Sequence, residues 1–80
     1  MINWIETTKE NIEKYLFEKG EFSRDKIYDY IFFTEYFDIV KPIDVSYCYS
    51  DCEITFGMYY HKVTHFALYE SILPKDLKNV

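Results

Sequence analysis

Arg24-Asp25-Lys26-Ile27-Tyr28-Asp29-Tyr30-Ile31-Phe32-Phe33-Thr34-Glu35-Tyr36-Phe37 contains Ile31-Phe32-Phe33, one of the longest apolar runs in the chain. Its spacing predicts a helix over 24–37. Ile27, Tyr30, Ile31, Thr34 and Phe37 recur at helical intervals and make one stripe. Ser23 stands where an N-cap belongs, and Phe22 and Ile27 have the separation of a hydrophobic staple. Tyr28, Phe32 and Tyr36 fall on a second face. The resulting apolar girdle is wider than the stripe a surface helix needs. Such a helix is expected either at the centre of the fold or against a partner.

Upstream, residues 3–19 also read as a helix. Ile5, Thr8, Ile12, Tyr15 and Leu16 lie at helical spacing. Asn3 with Glu6, or Thr7 with Glu10, has the capping-box interval. Glu10 precedes Lys14 by four residues in the favourable order, and Gly20 is placed to stop the helix. Downstream of Pro42 the period changes to two. Ile43, Val45, Tyr47 and Tyr49 alternate with polar or small residues, which is the pattern of a half-buried strand. Ser50-Asp51 supplies a turn, and Ile54, Phe56, Met58 and Tyr60 mark a second strand. Residues 62–70 are rich in Val, Thr, Phe and Tyr and read as a third strand, although Tyr59, Val63, Phe66 and Ala67 also fit a helical stripe. Pro74 ends it, and 75–80 is a polar tail. The expected fold is one α+β domain over 1–80. Two N-terminal helices pack on a small three-stranded antiparallel sheet, in the order ααβββ, with a helix as the alternative for the last strand.

Eighty residues with a net charge of −5 fit a single small domain. Residues 1–40 hold nine acids against five bases, and 41–80 five against four. Arg24 is the only arginine. A phosphate-binding surface needs clustered cations, and their lack argues against direct binding to nucleic acid or to an anionic membrane. No apolar run is long enough to cross a bilayer, and two cysteines allow at most one bridge. A soluble cytoplasmic protein is expected. The unusual quantity is 21% aromatic residues: nine Tyr, seven Phe and Trp4. That is more ring surface than a small core readily hides, and tyrosine is enriched at protein interfaces.

Every Cys and His lies in Cys48-x3-Cys52-x8-His61-x3-His65. Thiolate and imidazole suit zinc, so a zinc-stabilised interaction module is a second expectation, although the spacing departs from a C2H2 finger. His61, His65 and Lys62 offer an acid and a base for cleaving RNA, as in a small RNase-like toxin, but the negative charge opposes holding that substrate. Gly20 and Gly57 stand alone, so no Gly-rich phosphate loop exists. Glu6, Glu10, Glu13, Asp25 and Asp29 lie near one helical turn apart beside aromatic rings, an arrangement that imitates nucleic-acid phosphates and bases. The leading expectation is a non-enzymatic, cofactor-free binding protein that blocks a functional surface of a larger protein. The most concrete form is a phage-type, anti-CRISPR-like inhibitor of a nucleic-acid-processing enzyme, docking on its basic surface. Tyr28, Phe32 and Tyr36 would be the anchors, with Glu10, Asp25 and Asp29 steering approach. A homodimer is another outlet for the surplus rings.

Overall fold

The computed structural model describes the backbone of residues 2–72 and the side chains of residues 2–70. The expected polar tail at 75–80 and the stop at Pro74 lie outside the described residues. The chain is mostly strand, in place of the expected two helices on a three-stranded sheet. Its elements are β1 (Ile5–Glu6), α1 (Lys9–Leu16), β2 (Phe17–Glu18), β3 (Glu21–Phe22), α2 (Arg24–Ile27), β4 (Tyr30–Thr34), β5 (Ile39–Val40), β6 (Val45–Cys48), β7 (Glu53–Phe56) and β8 (His61–Leu68). Short 3-10 turns at Pro42–Asp44 and Tyr69–Ile72 flank the last three strands.

The main correction falls on 24–37. Only one helical turn forms there, capped by Ser23, whose hydroxyl accepts from the Lys26 amide at 3.1 Å. The chain then extends as β4. Tyr30, Ile31, Phe32 and Thr34 are all buried, so both faces of this strand are covered. A strand buried on both faces reads as a continuous apolar run, and periodicity cannot separate that from a buried helix. The fully buried Phe32 meets Ile12 and Leu16 of α1 and Ile27 of α2 in the core. Phe33, on the other face, packs against Trp4, with ring centroids 5.5 Å apart.

The first helix is shorter than expected at both ends. Thr8 caps it by accepting from the Asn11 amide at 3.1 Å, while Ile5 and Glu6 pair with Phe66 and His65 of β8. After Leu16 the chain turns back in a two-residue hairpin. Lys19 and Gly20 both take positive φ, as a type I′ turn requires. Gly20 therefore makes a hairpin turn and does not cap the helix.

The third expected strand is present as β8, the longest strand and the spine of a six-stranded antiparallel sheet. β4 pairs along one edge of β8, with β5 outside it. On the other edge, β7 pairs with Lys62 and His61 and β1 pairs further along; β6 lies outside β7. Thr64 is a bulge: Phe33 faces His65 while Thr34 faces Val63. Its carbonyl accepts from the Thr7 amide at 3.0 Å, and the Thr7 hydroxyl is shared between Val63 O (2.8 Å) and Thr64 O (3.0 Å). The extra residue inverts the alternation of the strand. Val63 and Phe66 consequently both face the core.

Candidate functional site

The interior sorts the rings by their hydroxyls. Six of the nine tyrosines are exposed (Tyr28, Tyr36, Tyr49, Tyr59, Tyr60, Tyr69), but only Phe37 of the seven phenylalanines. A buried phenol must find a partner and an exposed one has water. Tyr30 is the one buried tyrosine; burial first, then the neighbouring Asp29 charge, raises its pKa. Tyr47 stacks on Phe22 with ring centroids 5.0 Å apart. Burial, followed by a hydrogen bond with Cys52, pushes its phenol up to about 12.

Four of the exposed rings, Tyr36, Phe37, Tyr59 and Tyr60, gather on two turns. β4 and β8 run antiparallel, so the turn after β4 (Glu35, Tyr36, Phe37, Asp38) lies beside the turn before β8 (Gly57, Met58, Tyr59, Tyr60). The Glu35 amide donates to Lys62 O at 2.8 Å, and the Lys62 amide donates back to Glu35 Oε2. The Tyr36 ring meets His61 edge-on at 4.8 Å, and Tyr59 lies 6.2 Å from the same imidazole. Phe37, Met58, Tyr59 and Tyr60 are each more than 70% exposed. Both turns are pinned. Thr34 Oγ1 accepts from the amides of Tyr36 and Asp38 at 3.3 Å, and the Tyr60 amide donates to Gly57 O at 3.2 Å.

Phe37 and Tyr60 sit at φ of 65° and 55°. Bulky residues rarely take this left-handed conformation. Strain held by surrounding structure tends to mark working surfaces.

From Met58 and Tyr60 the apolar surface continues through Ile43, which shares a depression with them. Ile43 also lines a groove of about 340 Å³ with Tyr28, Ile31, Pro42 and Tyr69.

The charges around the tips are unbalanced. Among the described residues the only ion pair is Lys62 with Glu53, at 3.4 Å. Arg24 donates to Val45 O and, at 3.5 Å, to Ile43 O. Arg24 is thus held by backbone carbonyls and Lys62 by a carboxylate. The carboxylates of Asp38 and Asp44 find no hydrogen-bond or ion-pair partner among the described residues.

The expected contact residues are dispersed. Glu10 opens α1, and Asp25 lies in α2 with Asp29 just beyond it; all three are exposed. Tyr28 and Tyr36 are exposed but stand at opposite ends of β4. Phe32, between them, is fully buried and belongs to the core, so it is not available as an anchor. The helical spacing that aligned the three does not apply to an extended strand.

The Cys and His residues do not converge either. No group of three or more His, Cys, Asp or Glu among the described residues is gathered as a metal site. Cys48 lies on the outer side of the β6–β7 hairpin, its Sγ 3.2 Å from Ser50 Oγ. Cys52 donates to Tyr49 O at 3.7 Å. His61 pairs with Phe56, at the far end of β7 from Cys52. Four strand residues separate those positions by about 13 Å, far beyond the roughly 2 Å of a ligand bond. The bulge at Thr64 also places His61 and His65 on opposite faces of β8. His65 meets Phe33 on the face away from the core, at 6.4 Å. The pair is therefore not assembled for shared acid–base work.

Phe37, Ile43, Met58, Tyr59, Tyr60 and Tyr69 are exposed positions that the sequence reading assigned to no contact surface. One signal was present: Tyr59-Tyr60 follows Gly57 as two adjacent rings, and a half-buried strand hides only one of two neighbours. Comparison with protein-family models, with curated proteins and with solved structures finds no match to this chain.

Proposed function

We propose that the chain is a non-enzymatic binding protein of the cytoplasm that covers a functional surface of a larger protein. The most concrete form is occlusion of the basic surface of a nucleic-acid-processing enzyme, as a phage anti-defence inhibitor would do. The reading is carried by the exposed rings on two hydrogen-bonded turns, with the carboxylates of Asp38 and Asp44 unpaired among the described residues. Aromatic anchors desolvate on docking, and surrounding carboxylates steer a basic partner. Two free thiols suit a reducing compartment. No helix among the described residues is long and apolar enough to cross a membrane.

The test is capture from cells of the native host, using the native chain and the double variant Tyr59→Ser, Tyr60→Asn as baits. The same protein should be held by the native chain, lost by the variant, released as salt rises, and displaced by added nucleic acid. A partner that nucleic acid leaves in place overturns the inhibitor reading. Equal capture by both baits overturns docking through these rings.

A further inference from the structure

β4 and β8 turn one face to the core and carry apolar side chains on the other as well. Both helices lie on the core side, where Ile12, Leu16 and Ile27 meet Phe32 and Phe66. The make-up of the opposite face follows from the register. Phe33 pairs with Ile39 on one side and with His65 on the other, His65 pairs with Glu6, and Ile31 pairs with Ala67. An antiparallel sheet with one face in water alternates apolar inward with polar outward. Here Ile31, Phe33, Ile39 and Ala67 all point outward, so that alternation is missing. Among the described residues only side chains cover this face, and they are apolar too. Trp4 and Phe37 pack on Phe33, with ring centroids 5.5 and 6.0 Å away. Ile31 lies in the groove walled by Tyr28, Pro42, Ile43 and Tyr69.

Phe37 is 81% exposed and Ile39 58%, and Tyr28, Ile43 and Tyr69 are exposed as well. These five side chains leave roughly 600 Å² open to solvent. That is already the upper end of the largest apolar patch on a monomer, about 300–600 Å². The half-buried Trp4, Phe33 and His65 and the exposed Glu6 and Lys41 extend it toward the about 800 Å² that each partner gives to a standard interface.

The two borders of the face carry opposite charges. Glu6 stands on β1 and points away from the core, since Ile5 before it packs inward. Lys41 follows Val40, which also packs inward, and lines the groove with Ile31. Neither charged group has an ion-pair or hydrogen-bond partner among the described residues. The borders are three strand spacings apart, about 14 Å. An isologous interface sets one surface against itself, and a face acidic at one border and basic at the other matches itself when turned over. A twofold axis between two facing sheets, running along β4 and β8, lays the β5 side of one copy over the β1 side of the other. Lys41 and Glu6 differ by two residues along the strands, about 7 Å, a span that an extended lysine covers. We propose that this outer face is the interface of a twofold homodimer, filled by Phe33, Phe37 and Ile39 and registered by two Lys41–Glu6 pairs. The ring cluster on His61 stands on the other face of β8, so the tips stay open and the inference does not depend on the docking reading.

Sedimentation equilibrium of the full chain across the micromolar range is the test. The chain should reach the mass of two copies and no more, with a dissociation constant on the order of 10 μM. Phe37→Asn with Ile39→Thr should weaken the dimer at least about tenfold. Asn accepts the positive φ at position 37 and Thr suits a strand, so at high dilution this variant should melt like the native chain. Lys41→Glu and Glu6→Lys should each weaken the dimer about fivefold, and the two in one chain should restore it. Glu6→Lys lowers the net negative charge, so a general charge effect would tighten the dimer instead. Tyr59→Ser with Tyr60→Asn should leave it intact. A chain that stays monomeric overturns the proposal, as does growth beyond two copies. A dimer indifferent to Phe37→Asn with Ile39→Thr does so too, as does one that the double charge reversal leaves weak. In a mixture of isotope-labelled and unlabelled chains, contacts between copies should involve Phe37 and Ile39; contacts from Tyr59 and Tyr60 alone would put the second copy on the tips and overturn the assignment.

Discussion

Tyr60 is 73% exposed and held at positive φ by a turn closed through Gly57 and Asp44. Its side chain gives the fold little burial, while its backbone carries the strain of the left-handed region. Tyr60→Gly should therefore stabilise the chain by about 0.5–1 kcal/mol, read as a higher urea midpoint, while weakening the partner interaction. An unchanged or lower midpoint would mean that the ring contributes to folding. Thr7 is the opposite case. Its hydroxyl and amide hold the bulge carbonyls of Val63 and Thr64. Thr7→Val leaves part-buried acceptors short of a donor and should cost about 1 kcal/mol. Thr7's role is not legible in the sequence, because its partners lie more than fifty positions away, and the turn that holds Tyr60 is tied to Asp44 on another element.

At the scale of elements, β4 separates the helical reading from the folded chain. On a helix, Phe32 and Tyr36 would share a face and respond alike to truncation. As a strand and its turn, they differ. Phe32→Leu should cost at least about 1 kcal/mol, through the cavity it opens between α1 and β8. Tyr36→Ser should stay within about 0.5 kcal/mol. Similar destabilisation in both would contradict the strand. Local propensity did indicate the Ser23 cap, the alternation on either side of Ser50-Asp51, and the strand at 61–68. It failed at 24–37 because the choice between helix and strand there depends on what covers the second face. Trp4 and the turn after Pro42 supply that cover from distant parts of the chain. Arg24 belongs to the same scale. Val45 is a non-hydrogen-bonded pair with Phe56, so its carbonyl points outward from the sheet edge, and Arg24 occupies it. Exposed edges template association. Arg24→Ala should produce concentration-dependent self-association by light scattering, where the native chain shows less.

For the whole molecule, the alkaline limit follows from the shielded phenols of Tyr30 and Tyr47. Tyr30 and Tyr47 have raised pKa values in the folded state, Tyr47 reaching about 12. At pH above 10 the unfolded chain releases protons that the folded chain retains, so stability falls with rising pH. The contribution is complete below pH 10 and lost as pH approaches 12. Absorbance at 295 nm should show a late group of tyrosines titrating together with unfolding by circular dichroism. Tyrosines that all titrate before the fold is lost would contradict the shielding of these two. The amino-acid sequence by itself determined the surplus of rings, the acidic balance, the want of a cationic cluster, and the capping and alternation of individual segments, because these depend on composition and near neighbours. Tertiary structure alone decided that 30–34 is a doubly covered strand, that one inserted residue at Thr64 sends the two histidines to opposite faces, and that two remote turns bring Tyr36, Tyr59 and Tyr60 to one end. Those outcomes depend on pairing register and on which surfaces meet, and neither is encoded at any single position.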